Sequence, residues 1–61
     1  MTKASRVPRL LAVSEIADLL VVSTKTIRRW IERGELHAHH LGRRVRVSEE
    51  DLTAYLNRHR S

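Results

Sequence analysis

The 61-residue sequence contains no cysteine and no phenylalanine, and it has only one tryptophan, one tyrosine, one proline and two glycines. Without cysteine, neither a disulfide framework nor a thiolate zinc site can form. A chain this short buries only about 60% of the surface that its unfolded form exposes. The sequence therefore predicts one small domain, with a core of leucine, valine and isoleucine and the two aromatic residues Trp30 and Tyr55, which we assign to packing rather than to base stacking.

Long apolar runs are absent as well. No stretch approaches the roughly 20 residues that span a bilayer, and Leu10–Val13 is too short for the core of a signal peptide. The sequence also lacks a plausible catalytic nucleophile with a partner that could act as its general base, and it lacks a glycine-rich phosphate loop. The chain is too small to enclose a substrate pocket. We therefore expect a soluble cytoplasmic protein that is not an enzyme, with no cofactor, no small-molecule ligand and no membrane partner.

Positive charge is concentrated in the middle of the chain. Twelve lysines and arginines against seven acids give a net charge of +5. Residues 23–47 contain seven of these cations and only two acids, so this segment alone carries +5, while the remainder is balanced. Such a footprint indicates a polyanionic partner. The sequence charge alone is compatible with two such partners, nucleic acid and an anionic membrane surface.

The central segment predicts a short helix that begins after Ser23 and ends before Gly34. Ser23 can accept hydrogen bonds from the free amides of the first turn, and Gly34 suits the left-handed residue that follows a helix. The apolar residues are spaced i, i+3, i+4, which is typical of one buried stripe. That stripe consists of Ile27, Trp30 and Ile31.

The opposite face of this helix carries hydroxyls and long cations. Its residues are Thr24, Lys25, Arg28, Arg29 and Arg33. A helix that packs through one side and exposes such groups on the other is suited to the major groove of DNA, because guanidinium groups can bind guanine through two hydrogen bonds. The alternative is a basic face that is only solvated.

A first helix is predicted upstream, with Leu10 and Leu11 packing beneath it. Ser14 is its predicted N-cap, and the acids that follow favour the positive end of the helix. Ala17 is small enough to let a second helix approach closely. The residues predicted to face the core are Ile16, Leu19 and Leu20.

Only Val21 and Val22 separate the two predicted helices, which is typical of a helix-turn-helix. The first residue of that turn is usually glycine because it takes a positive φ. A β-branched residue in that conformation costs about 1–2 kcal/mol. We therefore expect either a reshaped turn or a Val21 side chain that compensates by being buried.

After Gly34 the apolar period changes to two, which predicts strands. Alternation begins at Leu36 and continues through Val45 and Val47, and Gly42–Arg43 is the predicted turn. The result is a two-stranded hairpin with a cationic tip, the shape called a wing. Arg44 and Arg46 alternate with the two valines.

A last helix is predicted to cover one face of the hairpin. Ser48 opens it as the N-cap of a capping box with Asp51, and the helix ends around Arg58. Its predicted buried residues are Leu52, Tyr55 and Leu56. The fold class is therefore mainly α with a small β-hairpin, a winged helix-turn-helix over residues 10–58, preceded by a flexible basic arm (1–9) and followed by a tail (59–61).

Several segments resemble, in order and spacing, the excisionase family of small MerR-like winged helix-turn-helix proteins, also called recombination directionality factors. They are Leu11–Leu20, Val22–Ser23, Ile27–Leu36, Leu41–Val47 and a helix opened at Ser48 and Glu49 that carries Leu52 and Tyr55–Leu56. The resemblance covers about Leu10 to Leu56. The same module also serves AlpA-like transcription activators and the DNA-binding parts of longer regulators.

The resemblance implies that the second helix enters the major groove and that the wing tip reaches the adjacent minor groove. The predicted DNA-binding residues are Ser23, Thr24, Lys25, Arg28, Arg29, Arg33, Arg43, Arg44 and Arg46. Either Arg28 or Arg29 can read bases while the other binds backbone. The sequence departs from the family pattern at Val21 and at His39–His40, where the imidazoles would attract phosphate mainly below about pH 6.5.

His37 and His39 also raise the question of a metal. Two imidazoles without cysteine, and without a carboxylate at a suitable spacing, make a weak zinc site. The sequence therefore predicts no metal.

The expected function is that of a DNA-binding excisionase that binds double-stranded DNA near an attachment site and helps an integrase to favour excision. One short recognition helix reads few base pairs, so we expect cooperative self-association on adjacent sites. We also expect the protein to be associated with the nucleoid. The alternatives are a transcriptional regulator with the same fold and an adaptor that binds an acidic protein.

Overall fold

The computed structural model describes residues 9–59, so the predictions for residues 1–8 of the arm and for Arg60 and Ser61 lie outside the described residues. Six elements follow one another along this part of the chain. They are β1 (Leu10–Ala12), α1 (Val13–Leu20), α2 (Thr24–Glu32), β2 (His39–Leu41), β3 (Arg44–Ser48) and α3 (Glu49–Arg58). The predicted order of helix, helix, hairpin and helix is confirmed, and a further strand precedes it.

The additional strand turns the predicted hairpin into a three-stranded antiparallel sheet. The strand order is β1-β3-β2, and Leu10 pairs with Ser48 while Leu11 pairs with Val47. Leu11 is buried, as the sequence indicated, but it reaches the core from a strand. Three strands with a covered face are stable where an isolated hairpin is marginal.

Helix α1 begins two residues earlier than predicted, at Val13. Ala12 is its N-cap, and the side chain of Glu15 accepts a hydrogen bond from the Ala12 amide at 2.8 Å. The assignment of Ser14 as N-cap is therefore wrong. Because β1 runs directly into the helix, its last residue occupies the cap position, and Ser14 is left exposed in the first turn.

The buried stripe of α1 also differs from the prediction at one position. The stripe consists of Val13, Ile16 and Ala17, with Leu20 packed partly against it. Leu19 is 65% exposed. With the stripe anchored at Val13, the helical period places Leu19 outside it, so the inward assignment of Leu19 is wrong.

The turn between α1 and α2 keeps the helix-turn-helix geometry without a glycine. Val21 has φ 57° and ψ 49°, which is left-handed. The Val22 amide donates to the Ala17 carbonyl at 3.0 Å and the Val21 amide to the Asp18 carbonyl at 3.4 Å, the pattern of a Schellman motif. Neither expected compensation occurs: the turn is not reshaped, and Val21 is 88% exposed.

Both ends of α2 are as predicted. The Ser23 hydroxyl accepts from the Thr26 amide at 3.1 Å. Gly34 has φ 76°, and the Glu35 amide donates to the Trp30 carbonyl at 3.0 Å, so the helix ends in a second Schellman motif. Ile27 is fully buried.

The wing, comprising β2, its turn and β3 (residues 39–48), is closed by two residues. Leu41 pairs with Arg44, which leaves Gly42 and Arg43 as the turn. Gly42 has φ 64°, and a positive φ at the first of two turn residues is the pattern of a type II′ hairpin turn. The first strand is shorter than the alternation from Leu36 indicated, because β2 begins only at His39.

The core joins all three helices to the inner face of the sheet. Its fully buried side chains are Ile16, Ile27, Leu36 and Val47. Tyr55 stacks on Trp30 with ring centroids 4.6 Å apart, which confirms that both aromatic residues pack. On its other side Tyr55 stacks on His59 at 4.2 Å.

Helix α3 covers this core from the last strand onward. The Ser48 hydroxyl accepts from the Asp51 amide at 3.0 Å, which confirms the predicted N-cap. Leu52 and Tyr55 are buried. Leu56 is 40% exposed, so its inward assignment is wrong; it lies one position beyond the face that packs.

Candidate nucleic-acid interface

The polar face of α2 is open to solvent along its whole length. Its exposed residues include Thr24, Lys25, Arg28, Arg29 and, at the C-cap, Arg33. Ile27 at the centre of the opposite face is fully buried. The helix therefore holds its cations on a rigid support, because the buried stripe fixes its rotation about its own axis.

An open cleft of about 330 Å³ lies between this helix and the wing. We call it the basic cleft. It is lined by Ala12, Val13, Ser14, Thr24, Arg28, Arg43, Arg44, Val45 and Arg46. The cations of α2 and of the wing thus meet on one side of the molecule, as a ligand that contacts both requires.

The structure brings five of the nine predicted residues together in this cleft. They are Thr24, Arg28, Arg43, Arg44 and Arg46. The other four, Ser23, Lys25, Arg29 and Arg33, do not line it.

These four residues occupy different places on α2. Lys25 and Arg29 are one turn apart on the exposed face, so they extend the cationic surface beyond the rim of the cleft. Arg33 lies at the far end of the helix, about 13 Å along the axis from Thr24 at 1.5 Å per residue. The hydroxyl of Ser23 is engaged with the Thr26 amide and with the Thr26 hydroxyl at 3.0 Å, so its first role is to cap the helix.

Ser14 is a lining residue that sequence reasoning did not assign to the interface. The sequence predicts a helix cap at Ser14, but Ala12 takes that position. Its exposed hydroxyl in the first turn of α1 therefore faces the cleft beside the two cationic elements. The sequence gives no local signal for this exposure, because it depends on β1 running directly into α1 and placing Ala12 at the cap.

The cations that line the cleft are not neutralised by close carboxylates in the part of the chain that the structure describes. The ion pairs there join Arg9 to Glu49 at 3.4 Å and His39 to Asp51 at 3.6 Å. Within the cleft, Arg46 turns back to donate to the Val45 carbonyl at 2.9 Å. The charges of Arg28, Arg43 and Arg44 therefore remain available to a polyanion.

The core contains a titratable group whose pKa is shifted. Burial, and then the Glu35 carboxylate, raise the pKa of Tyr55 above its usual value of 10.0, and Arg58 opposes this shift. Tyr55 belongs to the core and does not line the cleft. What the cleft offers a ligand is fixed positive charge and hydroxyl groups, which suit binding.

Comparison with known proteins agrees with this geometry. A family model described as "Helix-turn-helix domain" matches residues 10–60. A protein named "Excisionase" from Mycobacterium phage D29 is 42% identical over 50 residues, covering 80% of this chain and 89% of the phage protein.

A second relative is much longer than this chain. "Uncharacterized protein YvgK" from Bacillus subtilis (strain 168) is 46% identical over 43 residues, covering 70% of this chain. The match spans only 14% of the length of that relative. No solved structure matches the chain. Among residues 9–59, no helix combines the length and the apolar character needed to cross a membrane.

Proposed function

Because the chain belongs to the excisionase-like helix-turn-helix family of DNA-binding proteins, we propose that it is an excisionase. It binds near an attachment site and directs an integrase toward excision, without catalysing a reaction itself. The observation that carries the DNA-binding part is the basic cleft, in which Thr24 and Arg28 of α2 and the arginines of the wing share one concave surface. The similarity to the phage excisionase supports the recombination role.

In this proposal α2 is the recognition helix and enters the major groove. Arg28 lines the cleft, and its guanidinium binds a guanine through O6 and N7. Thr24, one turn earlier, contacts a phosphate oxygen or a thymine methyl group. Lys25 and Arg29, beyond the rim, bind the phosphate backbone and set the register of the helix.

The wing contacts the adjacent minor groove in the same proposal. Arg43 lies in its two-residue turn and Arg44 begins the strand that follows, and a narrow minor groove has the negative potential that attracts arginine. These contacts add affinity and orientation with little discrimination between bases. Sequence discrimination then comes mainly from α2.

The proposal includes two protein partners. One recognition helix of nine residues contacts only a few base pairs, so useful specificity requires several copies on adjacent sites. We therefore propose cooperative self-association on DNA, with the integrase recruited to the resulting complex. The protein then acts in the cytoplasm, on the nucleoid, where its DNA target lies.

Footprinting on DNA that flanks the native gene tests the proposal most directly. We expect several adjacent protected sites that fill cooperatively in gel-shift titrations. Adding the cognate integrase and attachment-site DNA should then raise the yield of excision and lower that of integration. One protein per isolated site at saturation, with no effect of neighbouring sites, would refute the self-association.

A transcriptional regulator is the second candidate. It follows from the resemblance, because the same module also serves the DNA-binding parts of longer regulators, and the Bacillus relative likewise combines the module with other sequence. The two functions differ in the DNA that is bound. An integrase gene and an attachment site beside the native gene support the excisionase, whereas protection confined to a promoter supports the regulator.

Binding to an acidic protein instead of DNA is tested by salt. When cations neutralise phosphates, counterions are released, and the logarithm of affinity falls linearly with the logarithm of salt concentration. We expect a steep fall for duplex DNA between 50 and 200 mM salt. An affinity for DNA that barely changes over this range would contradict both DNA-binding candidates.

A further inference from the structure

Two histidines and one aspartate converge where the wing meets α3. His37 precedes β2, His39 begins it, and Asp51 lies in the first turn of α3. The imidazole nitrogens and the carboxylate oxygens of these residues include a set of three atoms that all lie within 4.8 Å of one another. None of the three residues lines the basic cleft.

The carboxylate that the sequence did not reveal is the decisive member of this group. Asp51 is 12 positions after His39, so the two meet only because α3 folds back along the segment that enters the wing. The Nε2 atom of His39 and the Oδ2 atom of Asp51 are 3.6 Å apart. The imidazole rings of His37 and His39 are nearly perpendicular, with centroids 5.1 Å apart.

Two of these side chains stand on rigid elements. His39 is held in β2 opposite Arg46 of β3. The backbone of Asp51 is held in the first turn of α3 by the hydrogen bond from its amide to the Ser48 hydroxyl. His37 is exposed and lies outside any strand, so its ring can rotate to complete a site without distorting the fold.

From this arrangement we propose that His37, His39 and Asp51 bind a single divalent transition-metal ion of the zinc class. Zinc takes imidazole nitrogen at about 2.0–2.1 Å and carboxylate oxygen at about 2.0–2.2 Å, so tetrahedral ligand atoms lie about 3.3 Å apart. The pair formed by His39 and Asp51 is already close to that separation, and rotation of His37 brings in the third ligand. Water completes the coordination, as in zinc sites with three protein ligands.

The chemistry of the ligands selects the ion. Imidazole suits zinc, cobalt, nickel and copper, whereas magnesium and calcium prefer all-oxygen surroundings. A site with two imidazoles and one carboxylate therefore discriminates against the two abundant hard cations.

The metal would brace the connection between α2 and the wing. The segment from Glu35 to His39 joins the end of α2 to β2 and runs beside α3. At its other end Arg58 of α3 donates to the Glu35 carbonyl at 2.7 Å. A metal ion at His39 and Asp51 would fix the end of this segment that is nearest the wing. The cross-strand neighbour of His39 is Arg46, which lines the basic cleft.

Cobalt is the probe for the metal site. The full chain without a polyhistidine tag is freed of metal with EDTA, dialysed and titrated with Co²⁺, followed by visible absorption and then by calorimetric titration with Zn²⁺. We expect saturation at one ion per chain, with the intense visible bands of four-coordinate cobalt. The absence of saturable binding would overturn the proposal.

The variants His37→Ala, His39→Ala and Asp51→Asn should each weaken binding by at least tenfold, since losing even an outer-shell partner of a metal ligand typically costs about 10- to 100-fold. His40→Ala is the matched control, because His40 is the next residue of β2 and pairs with Val45 instead of Arg46. It should bind as the parent does. Circular dichroism checks that each variant is folded. Equal weakening by His40→Ala, or full binding by folded His39→Ala or Asp51→Asn, would contradict the assignment.

A separate measurement addresses the consequence for DNA, which rests on the proposed function. Gel-shift titrations with Zn²⁺ and with EDTA should show tighter DNA binding with the metal for the parent and His40→Ala, and no difference for His39→Ala. Loss of all DNA binding under both conditions would count against the proposed function while the cobalt titration still decides the metal site.

Discussion

The turn between α1 and α2 and the turn of the wing each contain a residue with positive φ, but the first uses a valine and the second a glycine. Gly42 has φ 64° in the wing, and Val21 has φ 57° between the helices. A Cβ at Gly42 would meet no atom within 4 Å, so only its backbone conformation favours glycine there. Val21 is equally unhindered by contacts, since it is 88% exposed.

The difference shows which part of the protein carries strain. The turn of the wing has a glycine at its position of positive φ, which is the residue that this conformation favours. The helix-helix turn instead opposes it by about 1–2 kcal/mol, and it is held by the packing of Ile16 and Ala17 of α1 with Ile27 of α2. Four predictions test this contrast between the helix pair and the wing.

The largest expected effect is that of Arg28→Ala in the helix pair. Removing a guanidinium that binds a base through two hydrogen bonds should weaken specific DNA binding by about 1–3 kcal/mol and relax specificity at one position. Binding is measured by fluorescence anisotropy on a footprinted site. Arg33→Ala, at the far end of the same helix, is the control and should change affinity little. Unfolding of Arg28→Ala would show that this residue supports the fold.

The second largest effect is expected for Gly42→Val in the wing. A β-branched residue at this positive φ strains the folded backbone by about 1–2 kcal/mol, and the smaller entropy of valine in the unfolded chain offsets about half of that. The free energy of unfolding, measured by urea denaturation, should therefore fall by about 1 kcal/mol. A Cβ at this position meets no atom within 4 Å, so the expected loss comes from the backbone conformation. A variant as stable as the parent would mean that the wing turn tolerates valine as the helix-helix turn does.

Arg43→Ala should have a smaller effect on affinity, and one of a different kind. Losing one phosphate contact weakens binding across sequences and makes the slope of log affinity against log salt shallower by about 0.9. Titrations at several salt concentrations, on specific and random duplexes, measure both. A loss confined to one base position would instead assign Arg43 to base reading.

The smallest expected effect is a gain. Val21→Gly removes about 1–2 kcal/mol of backbone strain and adds about 0.5–1 kcal/mol of chain entropy to the unfolded state. The net result should be a protein more stable by roughly 0.5–1 kcal/mol, measured by urea denaturation. Val22→Gly, at the neighbouring half-buried residue, is the matched control and should destabilise. Destabilisation by Val21→Gly would indicate that the exposed valine makes a contribution that its geometry does not reveal.

Structural features that depend only on residues close together in the sequence could be predicted. Ser23, Gly34 and Ser48 each act on backbone groups within a few positions, and all three were assigned correctly because capping is a local interaction. The stripe at Ile27, Trp30 and Ile31 depends only on the helical period. The family resemblance agreed with these signals in order and spacing.

Features that depend on distant pairing could not be predicted. Leu10 pairs with Ser48, and no sequence pattern near Leu10 predicts a strand. That omission also moved the start of α1, which in turn led to the wrong assignments of Ser14 and Leu19.

The sequence predicted which types of residue form the candidate site better than it predicted how they are arranged in space. The charge distribution assigned the cations of the candidate site to residues 23–47, but only the relative position of α2 and the wing separates Arg28 in the cleft from Arg29 beyond its rim. The approach of Asp51 to His39 is of the same kind, because it follows from how α3 lies across the sheet.

The pairing of β1 with β3 has a consequence for synthesis. Leu10 meets its partner Ser48 only 38 positions later, so β1 has no neighbour until almost the whole domain has left the ribosome. A contact this remote in sequence also carries the entropy cost of closing a long loop, which slows its formation. The helix pair therefore acquires its supporting sheet only after β3 has been synthesised, and nascent chains that end before β3 lack the platform that orients the cleft.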